Sequence, residues 1–113
     1  MTTPERGDVV LVPFPFTDLS DTKRRPALIL SSGEYNGATG DVIIAQITSR
    51  VSAPLRPGDC SIEQWREAGL LAPSRVRAKL TTLAGALLVR RLGRMPASDL
   101  ASVDRSLAGV LGF

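Results

Sequence analysis

The sequence predicts a mainly β domain with helices, an α+β class. The expected form is a small, strongly curved sheet or barrel of short antiparallel strands with a C-terminal helix. Three observations predict it. Short β-branched runs, Val9-Val10-Leu11-Val12, Ala27-Leu28-Ile29-Leu30 and Val42-Ile43-Ile44, are separated by Gly, Pro and Asn clusters. Leu100, Val103 and Leu107 recur at helical spacing near the end of the chain. The length of 113 residues suits one domain with one modest core. Many short strands with a late helix form a curled sheet rather than alternating layers.

The elements follow in order. Gly7-Asp8 precedes the first strand, 9–12, which Pro13 and Pro15 end or mark as an edge. Residues 17–25 are polar and turn-rich, a loop. The second strand, 27–31, is entered through Pro26, which biases Arg25 towards an extended backbone. Gly33, Asn36, Gly37 and Gly40 make 32–40 a turn region. The third strand, 41–48, is the clearest. Val42, Ile44, Gln46 and Thr48 share one face, and Ile43, Ala45 and Ile47 the other. A strand apolar on both faces for most of its length is central. Its first face turns polar only at Gln46 and Thr48, which puts a polar pair at the mouth of a core.

Residues 54–58 read as a loop, and 63–68 as a short helix stopped by Gly69, with Trp65 packing it. Residues 75–83 are extended. Val76, Ala78 and Leu80 alternate there with Arg77, Lys79 and Thr81, so the basic residues take the open face. Residues 85–88 fit no single class. Residues 89–95 fit strand or helix, and Gly93 favours a strand or bulge. Ser98 reads as the N-cap of the last helix, Asp99 lies in its first turn, and Gly112 ends it.

Composition narrows the chemistry. The chain has no histidine, which excludes every mechanism that needs imidazole as base or ligand. Cys60 is the single cysteine, so no internal disulfide and no cysteine-based zinc site can form. One unpaired cysteine, read as a small packing residue, suits a reducing cytoplasm. No stretch approaches the roughly 20 apolar residues of a membrane span, and residues 1–6 show no secretory signal. The expected location is therefore cytoplasmic.

The net charge is +3, and its distribution matters more than its size. Lysine occurs only at Lys23 and Lys79, so twelve of the fourteen basic residues are arginine. No acidic residue lies between Ala68 and Ser98, a stretch that holds Arg75, Arg77, Lys79, Arg90, Arg91 and Arg94. A second basic knot is Lys23-Arg24-Arg25. Arginine offers a planar fork for phosphate and stacks on bases, which makes nucleic acid a plausible partner.

The run Gly7-Asp8-Val9-Val10-Leu11-Val12-Pro13-Phe14-Pro15-Phe16-Thr17-Asp18-Leu19-Ser20, followed by Lys23-Arg24-Arg25-Pro26-Ala27-Leu28-Ile29-Leu30-Ser31, resembles the MazF/PemK family of toxins from type II toxin–antitoxin pairs. The third strand ending in Ile47-Thr48-Ser49 is similar to the family's second motif. Val76 to Leu83 and the helix from Ser98 complete the likeness. The resemblance is specific over 7–31 and 41–49 and looser over 54–95.

It implies an SH3-like barrel, usually a homodimer, that cuts single-stranded RNA at short sequences without metal or other cofactor. The implied products are a 2′,3′-cyclic phosphate and a 5′-hydroxyl. The family's catalytic arginine falls on Arg25 and its catalytic threonine on Thr48. An antitoxin partner with an acidic, disordered tail is implied as well, and no membrane.

The chemistry suits these residue types. Attack by a 2′-hydroxyl on the neighbouring phosphate needs alignment, proton removal and charge stabilisation. Arg25 stabilises charge on the phosphate, and Thr48 fixes its geometry. Lys23, Arg24, Ser49, Arg50, Arg77 and Lys79 are candidate RNA contacts. The general base is Asp18 or Asp21 of the first loop, or water. Phe14 and Phe16 either stack a base or belong to the core or a dimer interface.

Two rival functions share the implied fold. One is a poison that binds DNA gyrase and depends on its last residues, here Leu111-Gly112-Phe113. The other is a catalytically inactive nucleic-acid-binding relative.

Overall fold

The computed structural model describes residues 2–14 and 23–113. Among these residues six strands form one antiparallel sheet: β1 (Asp8–Phe14), β2 (Lys23–Ile29), β3 (Asp41–Thr48), β4 (Cys60–Ser61), β5 (Arg75–Ala84) and β6 (Arg90–Arg94). Their order across the sheet is β4-β5-β3-β2-β1-β6. Two helices, α1 (Gly33–Thr39) and α2 (Ala97–Leu111), complete it. This is the mainly antiparallel, curled sheet with a C-terminal helix that the pattern of short strands predicts.

Alternation along the strands builds a core on each face. Val9, Leu28, Ala45, Ile47 and Val76 point to one side, under Ile62, Ala68, Leu70, Met95, Val103 and Leu107. Val10, Val12, Ala27, Ile29, Val42, Ile44 and Leu83 point to the other, packed with Leu87 and Leu88. β3 contributes to both cores and lies between β2 and β5, the central place its two apolar faces require. Proline sits where the ladder is one-sided. The β6 pairing of β1 stops at Leu11, so Pro13 is reached only by Arg24 of β2.

Several sequence expectations are corrected. β2 begins at Lys23, so Lys23, Arg24 and Arg25 belong to a strand rather than the preceding loop. The Gly- and Asn-rich stretch 32–40 is a short helix. The Ser32 hydroxyl accepts from the Tyr35 N–H at 3.1 Å, and Gly40 closes the helix at φ 76°. Of the Gly and Asn residues only Gly40 is a cap, and buried Asn36, inside the helix, ties α1 to the Pro4 carbonyl at 2.8 Å. Residues 63–68 form consecutive turns with a single helical bond, Ala68 N–H to Gln64 O, before Gly69 at φ 86°.

Pro96, not Ser98, holds the N-cap position of α2, and the Ser98 hydroxyl donates to Gln64 Oε1 at 3.2 Å. Buried Asp99 accepts the Glu63 and Gln64 backbone N–H groups, both at 3.0 Å, and so pins the 63–69 turns to α2. Residues 85–87 form a 3₁₀ turn, and 90–94 resolve as strand with a bulge opposite Val9 and Val10. Among the described residues no helix is long and apolar enough to cross a membrane.

The alternation expected over 75–83 holds, with Val76 and Ala78 on the first core and Arg77, Lys79 and Thr81 turned towards the opposite face, but the ladder to β3 is irregular at one place. Ala45 pairs with Leu80, but Ile47, two residues on, pairs with Val76. β5 therefore spends Arg77, Ala78 and Lys79 opposite Gln46; beyond it Leu80 is 38% exposed, and Leu83 is buried in the second core. This bulge opens the sheet at the end of β3.

Candidate functional site

A cavity of about 540 Å³ opens beside that bulge. β2 brings Arg25 and Pro26 to it, and the end of β3 brings Gln46, Ile47 and Thr48 with Ser49 and Arg50. Arg77 of β5, Arg90 and Leu92 of β6, and the segment Gly69–Ala72 form other walls. A smaller cleft of about 180 Å³ adjoins it. The two share Phe14, Arg25, Pro26 and Gln46.

The strands explain why these residues meet. On β2, Arg25 lies two residues from Ala27, and Val12 of β1 is its cross-strand partner, so Arg25 continues the face of the second core. On β3, Gln46 and Thr48 continue the same face beyond Val42 and Ile44. The apolar core thus ends in a polar mouth, as the change from Ile44 to Gln46 predicts.

Thr48 is oriented by its own backbone. Its Oγ1 accepts the Arg50 N–H at 3.1 Å, a turn closed by a hydroxyl. With the oxygen held there, the hydroxyl proton is available to donate elsewhere. Gln46 is in the opposite condition. Its Oε1 is buried and makes no hydrogen bond among the described residues. An unsatisfied buried acceptor costs about 1–3 kcal/mol.

The field of the large cavity is positive. Arg25, Arg50, Arg77 and Arg90 line it, and no acidic side chain does among the described residues. Arg77 Nε lies 3.9 Å from Asp59 Oδ1. Lys79 stands on the smaller cleft. A concave, cation-lined site concentrates anionic ligands.

Not every predicted contact converges here. Arg25, Thr48, Ser49, Arg50 and Arg77 line the large cavity and Lys79 the smaller one. Lys23 and Arg24 are exposed on β2 but line neither. Phe14 lines both clefts, whereas Phe16, Asp18 and Asp21 lie outside the described residues. Trp65 packs against the core under α2, and the Arg66 guanidinium lies 4.4 Å from its ring centre.

The acid-free arginine stretch divides by role. Arg75 is buried and bonds the Val51 and Ala53 carbonyls at 2.6 and 2.9 Å. Arg91 and Arg94 pair with Asp8 at 3.3 and 3.1 Å. Sequence reasoning missed Arg90, although its place in that stretch was the signal. It also missed the wall at Gly69–Ala72, which has no polar signature.

One glycine crossing shapes that wall. A Cβ on Gly69 would stand 2.2 Å from the Leu92 carbonyl oxygen, and one on Gly93 would stand 2.4 Å from that of Ala68. Only two glycines let the backbones pass so closely.

The chain matches the model of the PemK-like, MazF-like toxins of type II toxin–antitoxin systems over residues 5–111. It is 31% identical over 92 residues to a probable endoribonuclease MazF of Mycolicibacterium smegmatis, covering 80% of this chain and 83% of the relative. The crystal structure of MazF from Deinococcus radiodurans matches with a TM-score of 0.77 at 30% identity, over 100% of both chains. A crystal structure of MazE–MazF from the same organism matches with a TM-score of 0.80 at 28% identity, over 98% of both chains. With nearly its whole length inside the family pattern, the chain belongs to the PemK/MazF family of toxins of type II toxin–antitoxin systems.

Proposed function

We propose that this toxin is an endoribonuclease that cuts single-stranded RNA at a short sequence, leaving 2′,3′-cyclic phosphate and 5′-hydroxyl ends. The observation that carries the reading is one cavity lined by both Arg25 and Thr48 beside Arg50, Arg77 and Arg90. The name of the M. smegmatis relative, a probable endoribonuclease, supports it.

In the proposed step the 2′-oxygen of one ribose bonds to the adjacent phosphorus. The bond from that phosphorus to the 5′-oxygen of the next nucleotide breaks. The 2′-hydroxyl gives its proton to a base, and the departing 5′-oxygen gains one. Arg25 acts through charge and two-pronged hydrogen bonding to the non-bridging oxygens. Thr48 donates its hydroxyl proton to a phosphate oxygen while its own oxygen stays anchored on the Arg50 N–H. The base is Asp18 or Asp21 of the first loop, or water. Positive charge comes from arginine, so the reaction proceeds in EDTA.

An acidic antitoxin segment fits the same arginine-lined cavity, and a relative has been solved as a MazE–MazF pair. The toxin acts as a homodimer in this reading, and sedimentation as a monomer at micromolar concentration would contradict that part.

The test is incubation of the purified protein with a long single-stranded RNA in EDTA, beside Arg25→Ala. Cleavage by the wild type alone, with a cyclic phosphate left behind, is expected. No cleavage by folded wild type overturns the reading. Loss of toxicity on removing Gly112 and Phe113, with Arg25→Ala still toxic, would favour the gyrase-binding alternative instead.

A further inference from the structure

We infer that the smaller cleft is a nucleobase pocket in which Gln46 selects adenine or cytosine, from a nucleotide flanking the phosphate held by Arg25. The inference rests on the ribonuclease reading above.

The cleft holds about 180 Å³. That is below the roughly 300 Å³ at which pockets for drug-sized ligands begin, and suits one flat heteroaromatic ring. Val12, Pro26, Ala27 and Ile44 give it apolar walls, and Arg25 and Lys79 give it cations. Such a slot takes the faces of a base by apolar contact and guanidinium stacking, and its charges take the phosphates on either side. Arg25 lines the slot and the main cavity together, which ties the base in the slot to the phosphate beside it.

Gln46 supplies the selection. It too lines both clefts, and its buried Oε1 lacks a hydrogen-bond donor among the described residues. The register step in β5, from Leu80 opposite Ala45 to Val76 opposite Ile47, parts the neighbouring strand from it. An exocyclic amino group is the donor this oxygen needs, and the ring nitrogen beside that group accepts from the Gln46 amide nitrogen. With the ring held in one orientation by the slot walls, adenine and cytosine set that donor–acceptor pair against the amide, whereas uracil and guanine in the same orientation set a carbonyl against Oε1 and a ring N–H against the amide nitrogen. Arg25 and Lys79 are exposed side chains on long stems, so they give way as the ring enters.

The test uses short RNAs carrying the wild-type cut site. Each nucleotide flanking the scissile phosphate is varied among the four bases, and kcat/KM is compared for the wild type and Gln46→Leu. At one flanking position the wild type should favour adenine or cytosine over uracil by about tenfold or more. An analogue of the favoured base without its amino group should lose that advantage. Gln46→Leu should bring the ratio close to one at that position alone.

Cleavage with no such preference at either position, preference for uracil at the position Gln46→Leu alters, or a ratio that Gln46→Leu leaves unchanged overturns the pocket and leaves the ribonuclease reading standing. Absence of cleavage by the folded wild type overturns both. If Gln46→Leu does not fold, the amino-free analogue in the wild type decides the matter.

Discussion

Arg25 and Thr48 hold the same register position on neighbouring antiparallel strands. Ile29 pairs with Ile44 and Ala27 with Gln46, and two further residues along that register set Arg25 opposite Thr48, just past the last pair. There the strands separate and both residues line one cavity. A phosphate between them would meet the guanidinium from one strand and the hydroxyl from the other. Arg25→Ala should lower kcat for RNA cleavage by about 10²–10³-fold, the range for removing a donor to developing charge. Thr48→Val should cost less. Because both act on one phosphate, the double variant should lose far less than the product of the single losses. Single-turnover cleavage measures this, and strict multiplicativity would mean that the two do not share a phosphate.

Much of this arrangement was legible in the alternation of β3. A strand with Ala45 and Ile47 on one face and Val42 and Ile44 on the other has to be central, and it is. Its change to Gln46 and Thr48 marked where the core opens. What stayed hidden depends on contacts distant in sequence. Arg75 looks like its basic neighbours until the 51–59 loop folds over it. The bulge at Arg77–Lys79 has no local signature, because its two extra residues leave the period of two intact. Asn36 and Gly40 favour turns by themselves, and the bond from Asn36 to Pro4, distant in sequence, helps to hold the helix there. The wall at Gly69–Ala72 follows from a crossing of two glycines that are 24 residues apart in sequence.

That crossing should be intolerant of any side chain. Gly93→Ala puts a methyl group 2.4 Å from the Ala68 carbonyl oxygen, and backbone cannot rotate away as a side chain can. The loss should be about 3 kcal/mol or more, at the upper end for single substitutions. Gly109→Ala is the control, since nothing lies within 4 Å of its added carbon and alanine favours a helix. Urea midpoints compare the two. Equal stability for both variants would show that the strands can separate without penalty.

Cys60 gives the fold an alkaline sensitivity. Burial pushes its thiol above the ordinary value, and the nearby Asp99 and Glu63 carboxylates add to this, against opposing effects of Ser106 and Arg105. In the unfolded chain the thiol ionises near pH 8.5, at about its free value, while the folded protein still holds the proton. The unfolded state then binds fewer protons, so stability falls as pH rises from about 8.5 towards the raised folded value. Cys60→Ala should flatten that fall. Melting temperatures at pH 7.5 and pH 9.5 for both proteins provide the comparison; parallel losses would remove Cys60 as the cause. Alkylation of the native thiol near neutral pH should also be slower than that of a free cysteine.

Arg75 should link stability to the arginine-lined cavity. It pairs across the ladder with Thr48, and its guanidinium bonds the carbonyls of Val51 and Ala53 immediately beyond the Thr48–Arg50 turn. Asp59, buried beside it, is 3.9 Å away and also accepts the Arg56 N–H at 2.9 Å. Arg75→Met takes both bonds from the loop and leaves the Asp59 charge without one of its cations. The expected cost is about 3–5 kcal/mol, the range for breaking a buried pair from one side. Loosening should begin in 51–59, so limited proteolysis should cut there before the sheet melts. Arg50 directly precedes that segment and lines the cavity, so in the surviving folded fraction KM for RNA should rise more than kcat falls. Arg75→Lys keeps the charge but not the fork, and should recover stability only in part. A wild-type proteolysis pattern with an unchanged KM would show that the loop holds its shape without Arg75.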